Sequence, residues 1–369
     1  MPDLLACPLC AGSLQNEVAR LRCGCGTWPV VAEIPVLLPW AHNRSLSAGE
    51  LLARHRPPAE GLGAKILRRL LPAEGALETA VSRRDATFLD LVAALGRTRD
   101  LDYFRYRFSD LSYLATAALL TPLTRGPLLD LGCGAGHGIH AMFRRIPRSL
   151  AVGVDANFTL LYLAKRFVAP AALFVCADAS ARLPFRDGVF EAALSADTFQ
   201  YLPDGASTAR ELLRVTRGPI LLSHFYRPAA PASFDAQEAL KVFAGRSPRL
   251  HDEDAILETF FSRRELDLSR PAPERDDVVT LTAGLEAMAY PGADYFVSGS
   301  ALNPLYEVRE EGDLLQLRRR SLSEKHDKRY RKYAAWLPET LTVTREQVAS
   351  ADPDLVRKFI LLDLPPNYC

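Results

Sequence analysis

No stretch of this 369-residue chain approaches the roughly 18 uninterrupted apolar residues a membrane-spanning helix needs. The opening "MPDLLACPLC" also lacks the basic start and apolar run of an export signal. Both absences set the expectation of a cytoplasmic protein with no membrane partner. Charge of one sign is lacking too: Lys+Arg number 45 and Asp+Glu 44. No long-range field therefore gathers nucleic acid, and such a partner would have to rely on a local basic patch. Internal repeats and low-complexity tracts are missing as well. What remains is an ordinary globular composition, 48% hydrophobic and 24% charged, over a length that suggests two or three units at roughly 150 residues each. Nothing in it sets an oligomeric state.

Cysteine is present in an odd number, seven, at positions 7, 10, 23, 25, 133, 176 and 369. In a reducing compartment a cluster of four near the start points to metal before disulfides. Cys7-x-x-Cys10 followed by Cys23-x-Cys25 offers the four soft ligands of a structural zinc site. The second pair is one residue shorter than the usual spacing. A redox dithiol fits less well, since neither pair sits at a strand-to-helix turn. Cys133, Cys176 and Cys369 read as ordinary small or loop residues.

Residues 43–100 are rich in Ala, Arg and Leu, with Leu77, Val81, Phe88, Leu91, Val92 and Leu95 at near-helical spacing. From Pro127 the pattern changes to five short apolar runs, "PLLDLG", "LAVGVD", "ALFVCAD", "FEAALSAD" and "GPILLSHFY", with helix-like segments between them. Such alternation reads as an open, doubly wound parallel sheet, whose ligands sit at the carboxyl ends of the strands. Further on, "DEDAILETFF" predicts a helix, "RRELDLS" and "VVTLTAG" predict strands, and "YEVREEGDLLQLRRR" predicts a hairpin turning at Glu311-Gly312. "SEKHDKRYRKYAAWLPE" is a charged helix candidate.

The loop "LLDLGCGAGHGIH" (128–140) is glycine-rich but breaks the dinucleotide fingerprint, since the third glycine of G-x-G-x-x-G is missing from either frame. No G-K-[ST] follows, so it is not a phosphate-cradling P-loop either. Such a loop lets backbone approach a ligand closely without being specialised for phosphate.

"LLDLGCGAG" resembles the first motif of class I S-adenosylmethionine (SAM) methyltransferases, and later segments follow that family's order. The resemblance covers roughly 100–230. It implies a Rossmann-like doubly wound α/β sheet and a SAM site built from Asp130, Gly132, Cys133, Gly134 and Gly136 in the loop. Asp155 and Ala156 end the second run, with Asp155 on the ribose hydroxyls; Asp178 and Ala179 end the third, with Asp178 on the adenine amino group. Ser195 and Asp197 would line the crevice facing the sulfonium. In "DYFRYRFSDLSY" (102–113), Arg107 would pair with the cofactor carboxylate and Tyr106 would cover it. The first 36 or so residues, "LLACPLCAGSL…LRCGCGTWPVVAEIPVLLP", resemble the zinc-ribbon-like activator subunit of tRNA and release-factor methyltransferases. The domain reading is a ribbon at 1–42, a helical linker or lid at 43–100, a methyltransferase domain at 101–289 and an α+β C-terminal extension at 290–369 that helps to enclose the acceptor.

Methyl transfer is an in-line displacement, so alignment in a dry site is the main requirement. A base is needed only if the acceptor loses a proton as it attacks. The candidates are His224 and Tyr226 in "LLSHFYRP" and His137 beside the loop. No N-P-P-[YF] follows the fourth run, which argues against base exocyclic amines and glutamine amides as acceptors. A small-molecule acceptor of specialised metabolism is the leading expectation. The alternatives are an RNA methyltransferase that docks through the ribbon, and a non-catalytic SAM-binding partner protein.

Overall fold

A computed structural model of the chain describes residues 3–54, 83, 85–95, 100–120, 122–123, 125–146, 149–226, 234–262, 264, 278–285 and 299–369. The first residues form a four-stranded antiparallel unit in sequential order: β1 (Gln15–Glu17), β2 (Arg20–Cys23), β3 (Gly26–Val31) and β4 (Ile34–Pro35). The five apolar runs become β5 (Leu128–Leu131), β6 (Ala151–Asp155), β7 (Leu173–Cys176), β8 (Ala192–Ala196) and β9 (Ile220–Tyr226). All of β5 and β7 is buried, as expected of parallel strands covered on both faces.

These five pair in parallel, and β10 (Arg249–Asp252) and β11 (Val278–Ala283) extend the sheet antiparallel beyond β9. The order is β10-β11-β9-β8-β5-β6-β7. The chain winds from β5 outward through β6 and β7, then returns to β8 on the other side of β5. The carboxyl ends of β5 and β8 therefore flank the switch point where ligands bind on such sheets. The sequence reading of a parallel sheet did not include β10, nor the antiparallel extension that β10 and β11 make. Of these, "VVTLTAG" was expected as a strand and sits between β9 and β10.

Strand alternation divides the core in two. Leu128, Phe174 and Leu194 face one apolar cluster, which includes the helices Phe88–Ala94, Leu111–Leu119 and Glu253–Ser262 and the C-terminal region. Leu129, Val152 and Val175 face the other, which includes the helix Gly205–Val215 and Leu5, Leu21 and Trp28 of the N-terminal unit.

The N-terminal unit also closes the edge of the sheet. Leu37 donates its N–H to the Cys176 carbonyl at 2.7 Å beside β7, and Val36 bridges Cys176 in parallel. Ala6 and Arg186 exchange backbone bonds with Pro184 and Leu4, both at 3.0 Å. An exposed edge strand, an aggregation hazard, is thereby covered.

The C-terminal region holds the expected hairpin, β13 (Tyr306–Glu311) with β14 (Leu314–Arg319), turning at Gly312 in the left-handed region, and β15 (Thr340–Thr344) beside β14. A short pair, β12 (Ala301–Leu302) with β16 (Leu361–Leu362), lies outside this sheet. The charged helix Glu324–Lys332 is capped by Ser323. The strand expected in "RRELDLS" and most of the helical linker lie outside the described residues.

Candidate functional site

The loop after β5 works because glycines occupy its left-handed positions: φ is +74° at Gly132, +51° at Gly134 and +82° at Gly136. A Cβ on Gly132 would lie 2.3 Å from the Thr198 hydroxyl oxygen, and one on Gly138 would lie 2.5 Å from Asp130 Oδ2. The loop is thus pressed between the segment after β8 and the Asp130 carboxylate, which abuts the first turn of the helix His137–Arg145.

Asp155 closes the loop from β6. Its Oδ2 accepts the Gly134 N–H at 3.0 Å and its Oδ1 accepts the Asn157 N–H at 2.8 Å. A carboxylate offers about four lone-pair positions, so each oxygen can still accept a hydroxyl. Asp178, beyond the neighbouring β7, accepts the Ser180 N–H at 2.8 Å. The carbonyls of Ala156 and Ala179 are taken by the Cys176 thiol at 3.5 Å and the Thr208 hydroxyl at 2.9 Å.

A cavity of about 220 Å³ opens against the loop, with Asp130, Cys133, Arg107, Tyr103 and Asp197 in its wall. Burial, reinforced by the Asp155 charge, raises the Asp130 carboxyl to about 7. Arg107 is almost buried; its Nη1 lies 3.1 Å from the Ser112 hydroxyl and 3.5 Å from Asp110, and its guanidinium lies 5.3 Å from the Tyr103 ring centre. The wall therefore presents a buried acid with no ion-pair partner among the described residues and a fixed cation lining the same space. Cys133 and Cys176 are buried, and burial raises both thiols, so they stay protonated.

Two expectations are corrected here. Tyr106 lines a different cavity and not the one against the glycine loop, whereas Tyr103, four residues before Arg107, lines both. His137 is a core residue: its Nε2 meets the Tyr368 hydroxyl at 2.7 Å, and its ring packs among Phe88, Phe104 and Phe108. Tyr368 gives its own proton to the Phe104 carbonyl at 2.8 Å, so Nε2 is the donor to it. Burial, with Arg107 nearby, holds the imidazole well below its ordinary pKa, which opposes service as a base.

On the β8 and β9 side, the Ser195 hydroxyl ties β8 to the Leu131 carbonyl at 2.9 Å. Asp197 and His224 both adopt left-handed backbone, with φ of +53° and +51°. The Gln200 amide bonds the Asp197 carboxylate. Burial raises the Asp197 pKa, with His224 and Arg107 pulling against it. His224 Nδ1 lies 3.4 Å from Glu253 Oε2, and Arg329 Nη2 reaches the same oxygen at 3.3 Å. Burial would lower the His224 pKa, but Glu253 outweighs it, helped by Asp197 and Asp110, and the net shift is upward. Tyr226 ends β9, and its side chain lies outside the described residues.

The four N-terminal cysteines converge. Their Sγ atoms all lie within 4.8 Å of one another, with Cys7 to Cys25 at 3.5 Å and Cys23 to Cys25 at 3.2 Å. Four thiolates at about 2.3 Å from a tetrahedral zinc would be spaced at roughly 3.8 Å, so the set fits that ion. His42 Nε2 stands 3.8 Å from Cys25 Sγ.

Sequence reasoning missed Tyr103, Glu253, Arg329 and Thr198. The i, i+4 spacing of Tyr103 and Arg107 on one helix face was a usable signal. Glu253 and Arg329 reach His224 only through long-range packing, and nothing local marks them.

Residues 129–219 match the family described as a methyltransferase domain. The chain is 35% identical over 120 residues to a demethylmenaquinone methyltransferase of Roseiflexus castenholzii, covering 32% of this chain and 50% of that protein. It is 35% identical over 103 residues to the protein of the same name from a second Roseiflexus strain, covering 28% and 43%. The chain thus spans about half the length of the curated relatives it matches. Among solved structures it is similar to the magnesium protoporphyrin IX methyltransferase of Synechocystis with bound SAM, at 13% identity and a TM-score of 0.33, covering 62% of this chain and 99% of that one. The chain carries a methyltransferase domain of the class I fold, preceded by an antiparallel unit with a four-cysteine cluster.

Proposed function

We propose that the protein transfers a methyl group from SAM to a small-molecule acceptor. The observation that carries this reading is the placement of Asp130, Asp155 and Arg107 around the left-handed glycine loop. SAM supplies an electrophilic methyl on a sulfonium and leaves as a neutral thioether. Its other groups are an ammonium, a carboxylate and two ribose hydroxyls. Asp130 is an acid lacking a cation, Arg107 a cation facing the same space, and Asp155 a carboxylate with lone pairs to spare, so the residues present fit those groups.

His224 is the base in this reading, taking the acceptor proton where there is one, with Glu253 orienting the ring. Asp197, which lines the cavity and interacts electrostatically with His224, adds negative charge where positive charge is carried. From the curated relatives we take methyl transfer and a small-molecule acceptor; the quinone in their names belongs to proteins of which half is matched. The four cysteines hold a structural zinc ion in this proposal.

Calorimetry with S-adenosylhomocysteine tests the reading. Binding to the wild type, weakened at least about tenfold in Asp155→Ala by loss of charge-assisted hydrogen bonds, is expected. A wild type that binds neither S-adenosylhomocysteine nor SAM would sink it.

A further inference from the structure

A second cavity, of about 720 Å³, opens between the helix Leu101–Tyr106 and the β13–β14 hairpin. That volume lies within the range of small-molecule sites. Tyr103 lines both this space and the glycine-loop cavity, and Asp110 in its wall is the ion-pair partner of Arg107 in the other. The two spaces therefore adjoin at Tyr103.

The inner wall is rich in cationic donors. Arg319 is only 8% exposed, yet no carboxylate lies within 4.0 Å of it among the described residues; Nη1 donates to the Leu337 carbonyl at 2.5 Å and the guanidinium lies 5.1 Å from the Tyr330 ring centre. One carbonyl satisfies one of five N–H groups, and a buried cation without a counter-charge is costly. Arg320 reaches Glu307 through Nη1 at 2.9 Å, but its Nε is buried with no hydrogen-bond partner. Arg318 and Arg331, both exposed at the mouth, also lack an ion-pair partner among the described residues.

Five acids line the same wall as its five arginines, so what matters is which of them are already paired. Asp102, Asp110 and Glu307 are already paired with Arg105, Arg107 and Arg320. Asp327 accepts the Ser321 hydroxyl and keeps its charge, and Glu339 is exposed; neither has an ion-pair partner among the described residues, so the unpaired Arg318, Arg319 and Arg331 outnumber the unpaired acids by one. The buried donors left without a counter-charge are those of Arg319, and Arg320 adds its buried Nε beside them, the rest of its side chain being half-exposed and paired with Glu307.

Resting on the methyltransferase reading, we propose that this cavity is the acceptor pocket and takes an acceptor bearing a carboxylate or phosphate. Arg319 and Arg320 anchor the anionic group, Arg318 and Arg331 guide it in, and the methyl-receiving end points toward Tyr103. The anchor lies away from the reacting atom, so it sets which acceptors are held and in what register.

Calorimetry on the full chain in excess S-adenosylhomocysteine, with citrate and pyrophosphate as probes, separates carboxylate from phosphate. One saturable site for at least one probe is expected, with its Kd raised at least tenfold in Arg319→Met and severalfold in Arg318→Ser. A thermal melt reports whether Arg319→Met still folds, and the Arg318→Ser/Arg331→Ser pair at the exposed mouth keeps the test readable if it does not. Saturation by neither probe, or a Kd indifferent to all these arginines, overturns the proposal while S-adenosylhomocysteine binding stands. Anion binding without any S-adenosylhomocysteine binding overturns the acceptor assignment together with the reading beneath it.

Discussion

His224 Nδ1 and Glu253 Oε2 face each other at 3.4 Å, and Arg329 of the helix Glu324–Lys332 touches the same carboxylate oxygen at 3.3 Å. The C-terminal region is thereby connected to the end of β9 through one shared acid. His224 also holds a left-handed backbone, with φ of +51°. A non-glycine residue there carries a cost of about 1 kcal/mol or more, and such positions cluster at functional sites.

This pair predicts the pH profile of methyl transfer. A base must be neutral to act, and the His224 pKa lies above the ordinary 6.5 because burial is outweighed by Glu253. The rate should therefore fall on the acid side with a limb above pH 6.5. Glu253→Gln removes the charge that raises the pKa, so the limb should move to lower pH. His224→Ala should lose about 10²- to 10⁴-fold in kcat/KM, the usual worth of a general base. Steady-state kinetics from pH 5 to 9 would check this, and an unmoved limb in Glu253→Gln would remove Glu253 from the role.

Asp130 predicts a second pH effect, on ligand binding. Its carboxyl is raised by burial to about 7, above the ordinary 3.8. The fold therefore favours the neutral acid, and the unliganded chain should lose stability as pH rises from about 4 through 7. A ligand ammonium reverses the preference, because it needs the carboxylate. S-adenosylhomocysteine should thus bind up to about tenfold more weakly for each pH unit below 7, releasing a proton on binding. Asp130→Asn should abolish both the stability loss and the proton release. Titrations in buffers of different ionisation enthalpy measure the proton directly.

The parts legible in the sequence share a cause. Glycines at 132, 134 and 136 are dictated by local backbone conformation, and Asp130 and Asp155 sit at strand ends fixed by short apolar runs, so both could be read without a fold. The four cysteines were legible by spacing. Tyr106 was misassigned because a residue next to Arg107 in the chain lies off its helix face, whereas Tyr103, four residues back, shares it and lines the same cavity. His137 was misassigned because its partner, Tyr368, is 231 positions away, and no local pattern announces such a contact. The Glu253 to Arg329 link and the arginine-lined cavity are hidden for the same reason, since they form only when the C-terminal hairpin packs on the domain.

Backbone and side-chain constraint can be separated at two glycines. Gly132→Ala meets both, with φ at +74° and a Cβ 2.3 Å from the Thr198 hydroxyl oxygen. Gly188→Ala meets only the first, with φ at +60° and nothing within 4 Å. Gly188→Ala should cost roughly 1 kcal/mol and leave S-adenosylhomocysteine binding intact. Gly132→Ala should cost more, roughly 1–3 kcal/mol, and displace Thr198, so binding should fall with it. Equal melting temperatures and equal affinities for the two variants would show that the Thr198 contact does not constrain the loop.

The cysteine cluster predicts a metal-dependent edge. Trp28 is fully buried in the N-terminal unit, 4.7 Å from the His42 ring, and His42 reaches Cys25. The same unit covers β7 through Leu37 and Val36. Structural zinc supplies folding free energy to units too small for a large core, so its removal should loosen the unit and uncover the β7 edge. Metal analysis should find zinc in the wild type and less in Cys23→Ser. A chelator should red-shift tryptophan emission, an effect that Trp28→Phe should abolish, and should promote aggregation, since an uncovered strand pairs with other chains. Chain purified without metal, with the same melting temperature and emission before and after zinc is added, would leave the four thiols as packing residues.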